Sequence, residues 1–402
     1  MILLIILIIS EFLTFFVFRH HYKGFSKTKY YLSTIINTVL SIYMWILYIE
    51  VTSYNGNFDN PGHIWLMMNL TGTFCAVLFP RILLDILHFT GKMIRFKRGG
   101  HSRSLTNAGI IIWMGIFSII SLSTIGRFNV RTDEVTIKVE GLNKDLDGLT
   151  IVQLSDIHLS GFHRNEAVLK NIMEKVDNLK PDILINSGDF VSYGWREFDR
   201  SDTILSLAKG RLGNFAVLGN HDIGTYYPGY TAAEIDTNII RMVEMITASG
   251  YKILSDDHTI IKIGEAKLAI IGVITRGRHK HMVHGDLKKA VSGLDSVNFS
   301  ILISHDPNQW GKDVMGKADI DLTLSGHTHG MQMGILTKRF KWSPSEYYYP
   351  RWNGLYSSGK QFLYVNRGLG ILEIPFRIWM PPEITVIRLS GSVNPGGSME
   401  AD

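Results

Sequence analysis

Cysteine is almost absent from this chain, since Cys75 is the only one among 402 residues. A single thiol excludes an intramolecular disulfide, and its apolar neighbours give no indication of thiol chemistry. No internal repeat is evident either. A chain of this length has room for more than one domain, and its two ends differ in composition.

Acidic residues are scarce in residues 1–126, which contain 4 Asp or Glu against 10 Lys or Arg. Residues 127–402 are nearly balanced, with 32 acidic and 31 basic side chains. The net charge of +5 therefore arises in the hydrophobic N-terminal part, where it indicates membrane topology. The rest of the chain lacks the broad basic stripe that DNA binding needs, so no nucleic-acid partner is expected.

Long apolar runs are concentrated in the same N-terminal part, and each is close to the roughly 20 residues that a helix needs to cross a bilayer. The first run could be mistaken for a signal peptide, but it has neither a basic start nor a small-residue cleavage site. We therefore predict an all-α membrane region of about four transmembrane helices over residues 1–126. The runs occupy residues 2–18, 30–50, 64–88 and 108–126.

The third run contains two charged residues, Arg81 and Asp85, at helical i,i+4 spacing. Either they pair inside a helix bundle, or the span ends near Pro80 and an interfacial helix follows. We favour the second interpretation because a cluster of basic residues comes soon after. These residues are Lys92, Arg95, Lys97 and Arg98.

The loops between the runs differ in charge, and this difference predicts orientation. The second loop contains Glu50 and Asp59 and no basic residue. The first loop contains Arg19, Lys23, Lys27 and Lys29, and the third contains Lys92, Arg95, Lys97, Arg98 and Arg103. Because positively charged loops remain cytoplasmic, we predict a multi-pass protein of the inner cell membrane. The chain after about residue 126 would lie outside the cytoplasm.

After about residue 135 the pattern changes to short strands that alternate with helices. Residues 165–179 have helical spacing and end before Pro181. This alternation is typical of α/β folds, in which functional groups collect at the carboxyl ends of strands. The predicted strands occupy residues 149–154, 182–186, 215–218, 268–271, 299–303 and 320–324.

Five short fragments follow these strands and contain side chains of the types that bind metals. Alone, Asp156-Ile157-His158 is typical of a polar turn, and Gly219-Asn220-His221-Asp222 of an Asn-rich turn. Five such fragments together are hard to explain as loop chemistry, whereas two divalent metals that activate a water beside a phosphate ester require these residue types. The other fragments are Gly188-Asp189, Ser304-His305-Asp306 and Ser325-Gly326-His327-Thr328-His329-Gly330.

In type and order these fragments resemble the calcineurin-like metallophosphoesterases, over about residues 149–330. The blocks 363–370 and 381–384 resemble the membrane-associated bacterial branch of YkuE/YaeI-type phosphodiesterases. The resemblance implies a four-layer α-β-β-α sandwich over residues 127–390, followed by a Gly/Ser-rich tail, residues 391–402, that we expect to be disordered. That branch usually has a second glycine where this chain has Met331, so the local backbone is expected to differ.

The same resemblance implies a two-metal centre in which Asp189 bridges the ions. Mixed nitrogen and oxygen ligands without thiolate suit Mn, Fe or Zn, of which we favour Mn. His221 resembles the general acid of the family, and Asp222 would orient its imidazole unless it is a helix N-cap. The first metal would be held by Asp156, His158, Asp189 and His329, and the second by Asp189, Asn220, His305 and His327.

Candidate substrate contacts are Arg276, Asn366 and Arg367. Arg276 belongs to a cationic cluster that would clamp an anionic group or form a solvated loop. Asn366 and Arg367 would touch the substrate or belong to a turn at Gly368. The cluster consists of Arg276, Arg278, His279, Lys280, His281 and His284. The aromatic and basic segment 340–356 suits either a membrane interface or packing over a loop.

We therefore expect a membrane-anchored two-metal phosphoesterase that hydrolyses a lipid-linked or cell-envelope phosphodiester or monoester. An alternative is a UDP-2,3-diacylglucosamine pyrophosphatase of lipid A synthesis, which would require a cytoplasmic active site. A non-catalytic metal-binding scaffold is disfavoured because every expected ligand and the candidate acid are present. A transporter is disfavoured because the apolar runs contain few polar groups.

Overall fold

The computed structural model describes residues 2–21, 27–98, 104–276, 283–337 and 339–391, and it divides into two compact units. The helical unit comprises Met1–Gly56, His63–Arg127 and Glu373–Ile378. The α/β unit comprises Asn57–Gly62, Phe128–Leu372 and Trp379–Asp402. Apart from Gly391, the predicted tail lies outside the described residues, as do 22–26 and 99–103 of the first and third predicted loops.

Three helical stretches of the described chain are long and apolar enough to cross a membrane, namely Lys27–Ser53, Pro61–Ile94 and Ser104–Phe128. They correspond to the second, third and fourth predicted runs. The first run is also helical, but it is not one of these three, and its side chains are described only for residues 4–19. The helices are α1 (Ile2–His21), α2 (Lys27–Ser53), α3 (Pro61–Thr73), α4 (Phe79–Arg98) and α5 (Ser104–Ile125).

The helix of the third run does not end near Pro80, whereas the interfacial position of its second half stays a prediction. A π-helical turn, Phe74–Leu78, joins α3 to α4, so the helix continues past a residue that lacks an N–H. Arg81 is fully buried and pairs with Glu11, with 2.9 Å between Nη1 and Oε1. Asp85 accepts a hydrogen bond of 3.3 Å from a threonine hydroxyl of α1. The buried charge therefore has a partner on another helix rather than at i+4.

The α/β unit contains two six-stranded sheets. The first has the order β1-β16-β2-β3-β4-β5, with β2, β3 and β4 parallel. Its strands are β1 (Arg131–Lys138), β2 (Thr150–Leu154), β3 (Ile183–Asn186), β4 (Asn214–Ala216), β5 (Lys252–Ile253) and β16 (Glu383–Ser390).

The second sheet has the order β14-β15-β11-β10-β7-β6, with β7, β10, β11 and β15 parallel. Its strands are β6 (Asp257–Ile263), β7 (Ala266–Val273), β10 (Phe299–Ser304), β11 (Leu322–Ser325), β14 (Gly354–Ser358) and β15 (Gln361–Val365). Two small hairpins pair β8 (Thr275–Arg276) with β9 (Val283–His284), and β12 (Ile335–Leu336) with β13 (Lys341–Trp342).

Strand alternation builds four layers, because successive side chains of a strand point to opposite faces. Ile183 and Ile301 belong to the core between the sheets, which draws on both of them. The neighbouring Leu184 packs with helices on the outer face of the first sheet, and Leu302 packs on the outer face of the second. The helices of this unit are α6 (Glu166–Asn178), α7 (Ser201–Leu205), α8 (Ala232–Ala248) and α9 (Leu287–Ala290). The predicted α-β-β-α sandwich is confirmed.

All six predicted strands and the predicted helix are present, each within a few residues of its expected bounds. Short helical turns connect them and carry several of the residues discussed below. The 3₁₀ turns are Gly126–Phe128, Lys144–Leu146, Leu159–Phe162, Trp195–Phe198, His329–Gln332 and Pro344–Tyr347, and a π turn spans Trp310–Val314.

Candidate metal centre

The predicted ligands follow the carboxyl ends of parallel strands from both sheets. In the first sheet, β2 leads to Asp156 and His158, β3 to Asp189, and β4 to Asn220. In the second sheet, β10 leads to His305, and β11 to His327 and His329. Rigid strands therefore set the starting point of each ligand-bearing turn.

The structure gathers six of these side chains into two groups of candidate metal ligands. Asp156, His158 and His329 form the first group, and their ligand atoms lie within 4.8 Å of one another. His329 Nε2 is 3.2 Å from Asp156 Oδ1 and 3.1 Å from His158 Nε2. All three residues are buried.

The second group consists of Asp189, His305 and His327, again within 4.8 Å. His305 Nε2 is 3.0 Å from Asp189 Oδ2 and 3.3 Å from His327 Nδ1. The same Asp189 oxygen lies 3.9 Å from His158 Nε2 of the first group. Asp189 is therefore positioned next to ligands of both groups, as its proposed bridging role requires.

Asn220, the seventh predicted ligand, supplies a test of whether these residues fit a metal. Its Oδ1 atom is buried and has no hydrogen-bond partner in the described chain, while its Nδ2 donates to the Tyr226 hydroxyl at 3.2 Å. A buried acceptor without a partner is costly, and a cation would satisfy it. Facing imidazole nitrogens beside buried carboxylates likewise suit divalent Mn, Fe or Zn. The residues present fit two such ions.

The charges of the site also favour metal binding. Burial alone would raise the pKa of the Asp156 and Asp189 carboxyls, but the neighbouring histidines hold both pKa values below their ordinary range. Burial lowers the pKa of His158 well below its ordinary value and that of His327 to about 4. Burial would also lower the pKa of His305, but Asp189 outweighs it and raises that pKa to about 10.

Five of the seven predicted ligands have a left-handed backbone, which is uncommon for residues other than glycine. Each such conformation costs on the order of 1–3 kcal/mol and persists where the surrounding structure imposes it. The concentration of strain here is typical of a functional site. The residues and their φ angles are Asp156 (50°), His158 (44°), Asp189 (59°), His327 (70°) and His329 (50°).

His221 lies beside the metal ligands but is in neither group. Its backbone N–H donates to Asp189 Oδ1 at 2.9 Å, and its Nδ1 lies 2.7 Å from the Ser192 carbonyl oxygen. The Tyr226 ring stacks on the imidazole at a centroid distance of 4.0 Å. Burial lowers the pKa of His221, although Asp189 and the Ser192 carbonyl partly offset this.

Asp222 does not orient the His221 ring, which corrects the prediction. Its carboxylate instead accepts backbone N–H groups at 2.8–3.2 Å. The Nδ1 atom of the His221 ring faces the Ser192 carbonyl oxygen rather than Asp222. The N-cap alternative fails too, because the next helix, α8, starts at Ala232. The donors belong to Asp189, Phe190, Val191 and Gly219. Asp222 thus fastens the turn after β3 to the turn after β4.

Two of the candidate substrate residues have structural partners. The Asn366 side chain accepts from Gly368 N at 2.7 Å and donates to a threonine of β16. Arg367 is buried and pairs with Asp133 at 2.7 Å and Glu383 at 3.0 Å. The turn interpretation therefore describes both residues better than substrate binding does.

The cationic cluster is only partly described. Arg276 is exposed on the β8–β9 hairpin, and His284 Nε2 lies 3.0 Å from Asp306 Oδ2. The remaining members, Arg278, His279, Lys280 and His281, lie outside the described residues. The substrate role of Arg276 stays a prediction.

Two further contacts were not predicted. Ser192 contacts His221 through its carbonyl and His158 through its hydroxyl, at 3.1 Å. The Tyr349 hydroxyl lies 2.7 Å from His327 Nε2. The position of Ser192, three residues after Asp189, is a usable sequence signal, since ligand-bearing turns also carry supporting residues. Nothing in the sequence connects Tyr349 with a histidine 22 residues earlier.

Met331 adopts a left-handed backbone (φ 45°), as does Gly330 (φ 52°). Met331 therefore takes a conformation that glycine favours, and the expected backbone difference from the related branch stays a prediction. The segment after it returns to the site, because Ser343 Oγ donates to the Gly330 carbonyl at 2.7 Å. Several large apolar side chains here are exposed, namely Met331, Ile335, Phe340, Trp342, Tyr347 and Tyr348. We call these six residues the aromatic surface.

Comparison with known proteins places this geometry in a family context. Residues 149–331 match the family model described as calcineurin-like phosphoesterase. The metallophosphoesterase YkuE of Bacillus subtilis (strain 168), described as uncharacterized, is 29% identical over 281 residues, which cover 65% of this chain and 86% of YkuE.

Two other relatives add information about membranes and lipids. A transmembrane protein with metallophosphoesterase domain from Danio rerio is 28% identical over 346 residues, covering 82% of this chain and 75% of that protein. The UDP-2,3-diacylglucosamine pyrophosphatase LpxG of Chlamydia muridarum (strain MoPn / Nigg) is 29% identical over 282 residues, covering 60% of this chain and 84% of LpxG.

Proposed function

We propose that this chain is a membrane-anchored two-metal phosphoesterase that acts on a lipid-linked or cell-envelope phosphate ester. The premise is that the chain carries a calcineurin-like metallophosphoesterase domain and is a hydrolase of phosphoric esters. The observation that carries the proposal is the pair of facing ligand groups, Asp156–His158–His329 and Asp189–His305–His327. A single metal would leave one of these groups without a cation.

Asp156, His158 and His329 would hold one metal, and Asn220, His305 and His327 the other, with Asp189 shared between them. Two bound metals would neutralise charge on the phosphate and lower the pKa of a water that attacks it. Because no thiolate takes part, Mn, Fe and Zn all suit the site, and we favour Mn.

His221 is the proposed general acid. Its Nδ1 faces the Ser192 carbonyl, which accepts only if that nitrogen carries the proton. The other ring nitrogen, Nε2, would donate a proton to the leaving oxygen from the imidazolium form, which carries a proton on both nitrogens. Burial disfavours that form, whereas Asp189 and the Ser192 carbonyl favour it. The stacked Tyr226 ring restricts rotation of the imidazole.

The aromatic surface supports a lipid-linked substrate. Its segment is fastened to the metal-ligand turn through Ser343 and Tyr349, which contact Gly330 and His327. Where exposed apolar side chains form one contiguous patch, they mark a membrane, ligand or protein contact. An acyl chain held there would keep its phosphate close to the ligands.

A second candidate function is hydrolysis of a nucleotide–sugar diphosphate. The match to LpxG favours it, because that relative is named a UDP-2,3-diacylglucosamine pyrophosphatase. The two candidates differ in the bond that is broken, a phosphate ester against a pyrophosphate, and in the side of the membrane where their substrates occur.

The activity test uses the purified full-length chain with Mn²⁺ and three substrate classes, namely lipid phosphates, UDP-2,3-diacylglucosamine and an aryl phosphodiester. The variant His305→Ala, purified in parallel, measures the contribution of contaminating phosphatases. We expect hydrolysis above that background for the aryl diester and for one of the natural classes. Activity equal to that of His305→Ala on every substrate would refute the proposed function.

We further propose that the α/β unit lies outside the cytoplasm. Asp59, in the loop between α2 and α3, is buried in this unit and accepts from Arg196 at 2.8 Å and from Tyr230 at 2.9 Å. Two candidate spans separate Asp59 from residue 128, so the acidic loop and the α/β unit share one side of the membrane. The basic first and third loops then face the cytoplasm.

Protease added to intact cells or spheroplasts should therefore cut the α/β unit. Cutting only after lysis would place the unit in the cytoplasm and favour the nucleotide–sugar candidate. Alkaline phosphatase fused after residue 130 provides an independent measurement, since it is active only outside the cytoplasm.

A further inference from the structure

Ser192 connects two histidines of the site through different atoms. Its carbonyl oxygen lies 2.7 Å from His221 Nδ1, and its hydroxyl lies 3.1 Å from His158 Nδ1. Ser192 is buried, so water does not compete for these contacts. Its main chain thus orients the proposed general acid, and its side chain orients a proposed ligand of the first metal.

Glu197 fixes the position of Ser192. Glu197 is 2% exposed. Its carboxylate accepts the backbone N–H groups of three consecutive residues. The distances are 2.9 Å for Ser192, 2.5 Å for Tyr193 and 3.2 Å for Gly194. Burial raises the pKa of Glu197 to about 7, although these backbone donors partly offset it. In either protonation state, the 192–194 backbone cannot shift without breaking three hydrogen bonds.

The turn that carries Glu197, Trp195–Phe198, is also held from outside. Arg196 Nη1 donates to Asp59 Oδ2, and Trp195 N donates to the Asn238 side chain at 3.0 Å. Asp59 and Asn238 are both buried. The turn is therefore held by buried side chains on two sides, and the hydrogen bonds of Glu197 attach the Ser192 backbone to this turn.

We propose that Glu197 is a positioning residue of this hydrolase, which acts through Ser192 on His221 and His158. The inference rests on the proposed function for its catalytic part, since His221 is taken as the general acid. The effects on His158 and on His221, which we call the His158 arm and the His221 arm, can be separated by mutation. Loss of the Ser192 hydroxyl removes the contact to His158 and retains the carbonyl, whereas loss of the Glu197 carboxylate releases the carbonyl as well.

The test compares three full-length variants, Ser192→Ala, Glu197→Gln and Glu234→Gln. Glu234 is the matched control, because its carboxylate also accepts a backbone N–H, from Thr231 at 2.7 Å, but does so at the exposed start of α8. Each variant is assayed for Mn²⁺ binding by calorimetry and for turnover of a nitrophenyl and an alkyl phosphodiester, which need different degrees of leaving-group protonation.

For Glu197→Gln we expect a loss of turnover that is at least about tenfold larger on the alkyl ester than on the nitrophenyl ester, as misplacement of a general acid requires. For Ser192→Ala we expect about 10–100-fold weaker Mn²⁺ binding, typical of a lost partner of a ligating histidine, with equal losses on both esters. Glu234→Gln should match wild type in both measurements.

Equal losses on both esters in Glu197→Gln, at unchanged circular dichroism, would overturn the positioning role. Unchanged Mn²⁺ affinity in Ser192→Ala would overturn the His158 arm. If Glu197→Gln does not fold, Glu197→Asp retains the charge with a shorter reach, and the same difference between the esters is then required of it. A wild-type chain that binds Mn²⁺ but hydrolyses neither these esters nor any of the three substrate classes named above would refute the proposed function instead. The Mn²⁺ affinity of Ser192→Ala would then still decide the contact to His158.

Discussion

Replacing Asp222 by asparagine should loosen the metal centre rather than disable His221 alone. Oδ2 of Asp222 accepts from Asp189 N at 2.8 Å and from Gly219 N at 2.9 Å. Oδ1 accepts from Phe190 N at 2.8 Å and from Val191 N at 3.2 Å. Asparagine retains one acceptor oxygen, so two of the four N–H groups would face an amide that itself donates.

The expected destabilisation follows from those two lost contacts. Burial and the neighbouring Asp189 raise the pKa of Asp222 to about 8, so the measurement is made above that pH, where the carboxylate is charged. A hydrogen bond to a charged group contributes about 1.5–3 kcal/mol, so the free energy of unfolding should fall by about 3–6 kcal/mol. In a unit of this size, each kcal/mol lowers the melting temperature by about 2–4 °C, which gives a decrease of about 6–24 °C. Because Asp189 is one of the released residues, the variant should also retain less metal.

Thermal melting of the full-length chain in detergent, followed by circular dichroism at one fixed scan rate, measures the first effect, and elemental analysis of metal content measures the second. Asp286→Asn is the matched control, since Asp286 accepts a single backbone N–H from Lys289 at 3.0 Å and asparagine is an equivalent helix cap. An Asp222→Asn variant with wild-type melting temperature and metal content, but slowed only on poor leaving groups, would refute this reasoning and restore Asp222 as a partner of His221.

Four other outcomes are expected. Asp189→Ala should lose both metals, and His158→Ala should lose mainly the first, which elemental analysis of metal per chain measures. Two retained metals in Asp189→Ala would contradict the shared position of Asp189. His221→Ala should retain its metals and lose about 10²–10⁴-fold in turnover of an alkyl ester, with a smaller loss on a nitrophenyl ester. Met331→Gly should raise the free energy of unfolding, measured with a denaturant, by up to about 1 kcal/mol, because a φ of 45° strains a residue with a side chain and this side chain is largely exposed. A decrease would mean that the methionine side chain packs more than its exposure indicates. Removal of metal with a chelator should lower the melting temperature of the wild type, and Mn²⁺ should restore it.

The clustering of the candidate ligands was predictable because each of them follows a strand that its own sequence indicates. Asp156, Asp189 and His305 come directly after buried apolar runs, and parallel strands bring their carboxyl ends together. The role of Asp222 was not predictable in the same way. Its partners are main-chain N–H groups, which every residue except proline possesses and which leave no trace in the residue types.

In the N-terminal helices, too, the sequence did not predict which side chains pair with each other. The apolar runs predicted where helices form, but Pro80 suggested an end that a π-helical turn avoids. Glu11, the partner of Arg81, lies 70 residues earlier in the chain, in a different run. A pairing of this separation depends on how helices pack, whereas i,i+4 spacing within one helix is visible from the sequence.

The loop Asn57–Gly62 determines how this protein can be divided for expression. It follows α2 and includes the first two residues of α3, yet it belongs to the α/β unit, and Asp59 within it is fully buried. A soluble fragment that starts at residue 128 would omit this strip and leave Arg196 and Tyr230 without the carboxylate that both contact. We therefore expect a fragment that starts at residue 128 to be less stable than the same fragment with residues 57–62 supplied as a grafted or separately added segment.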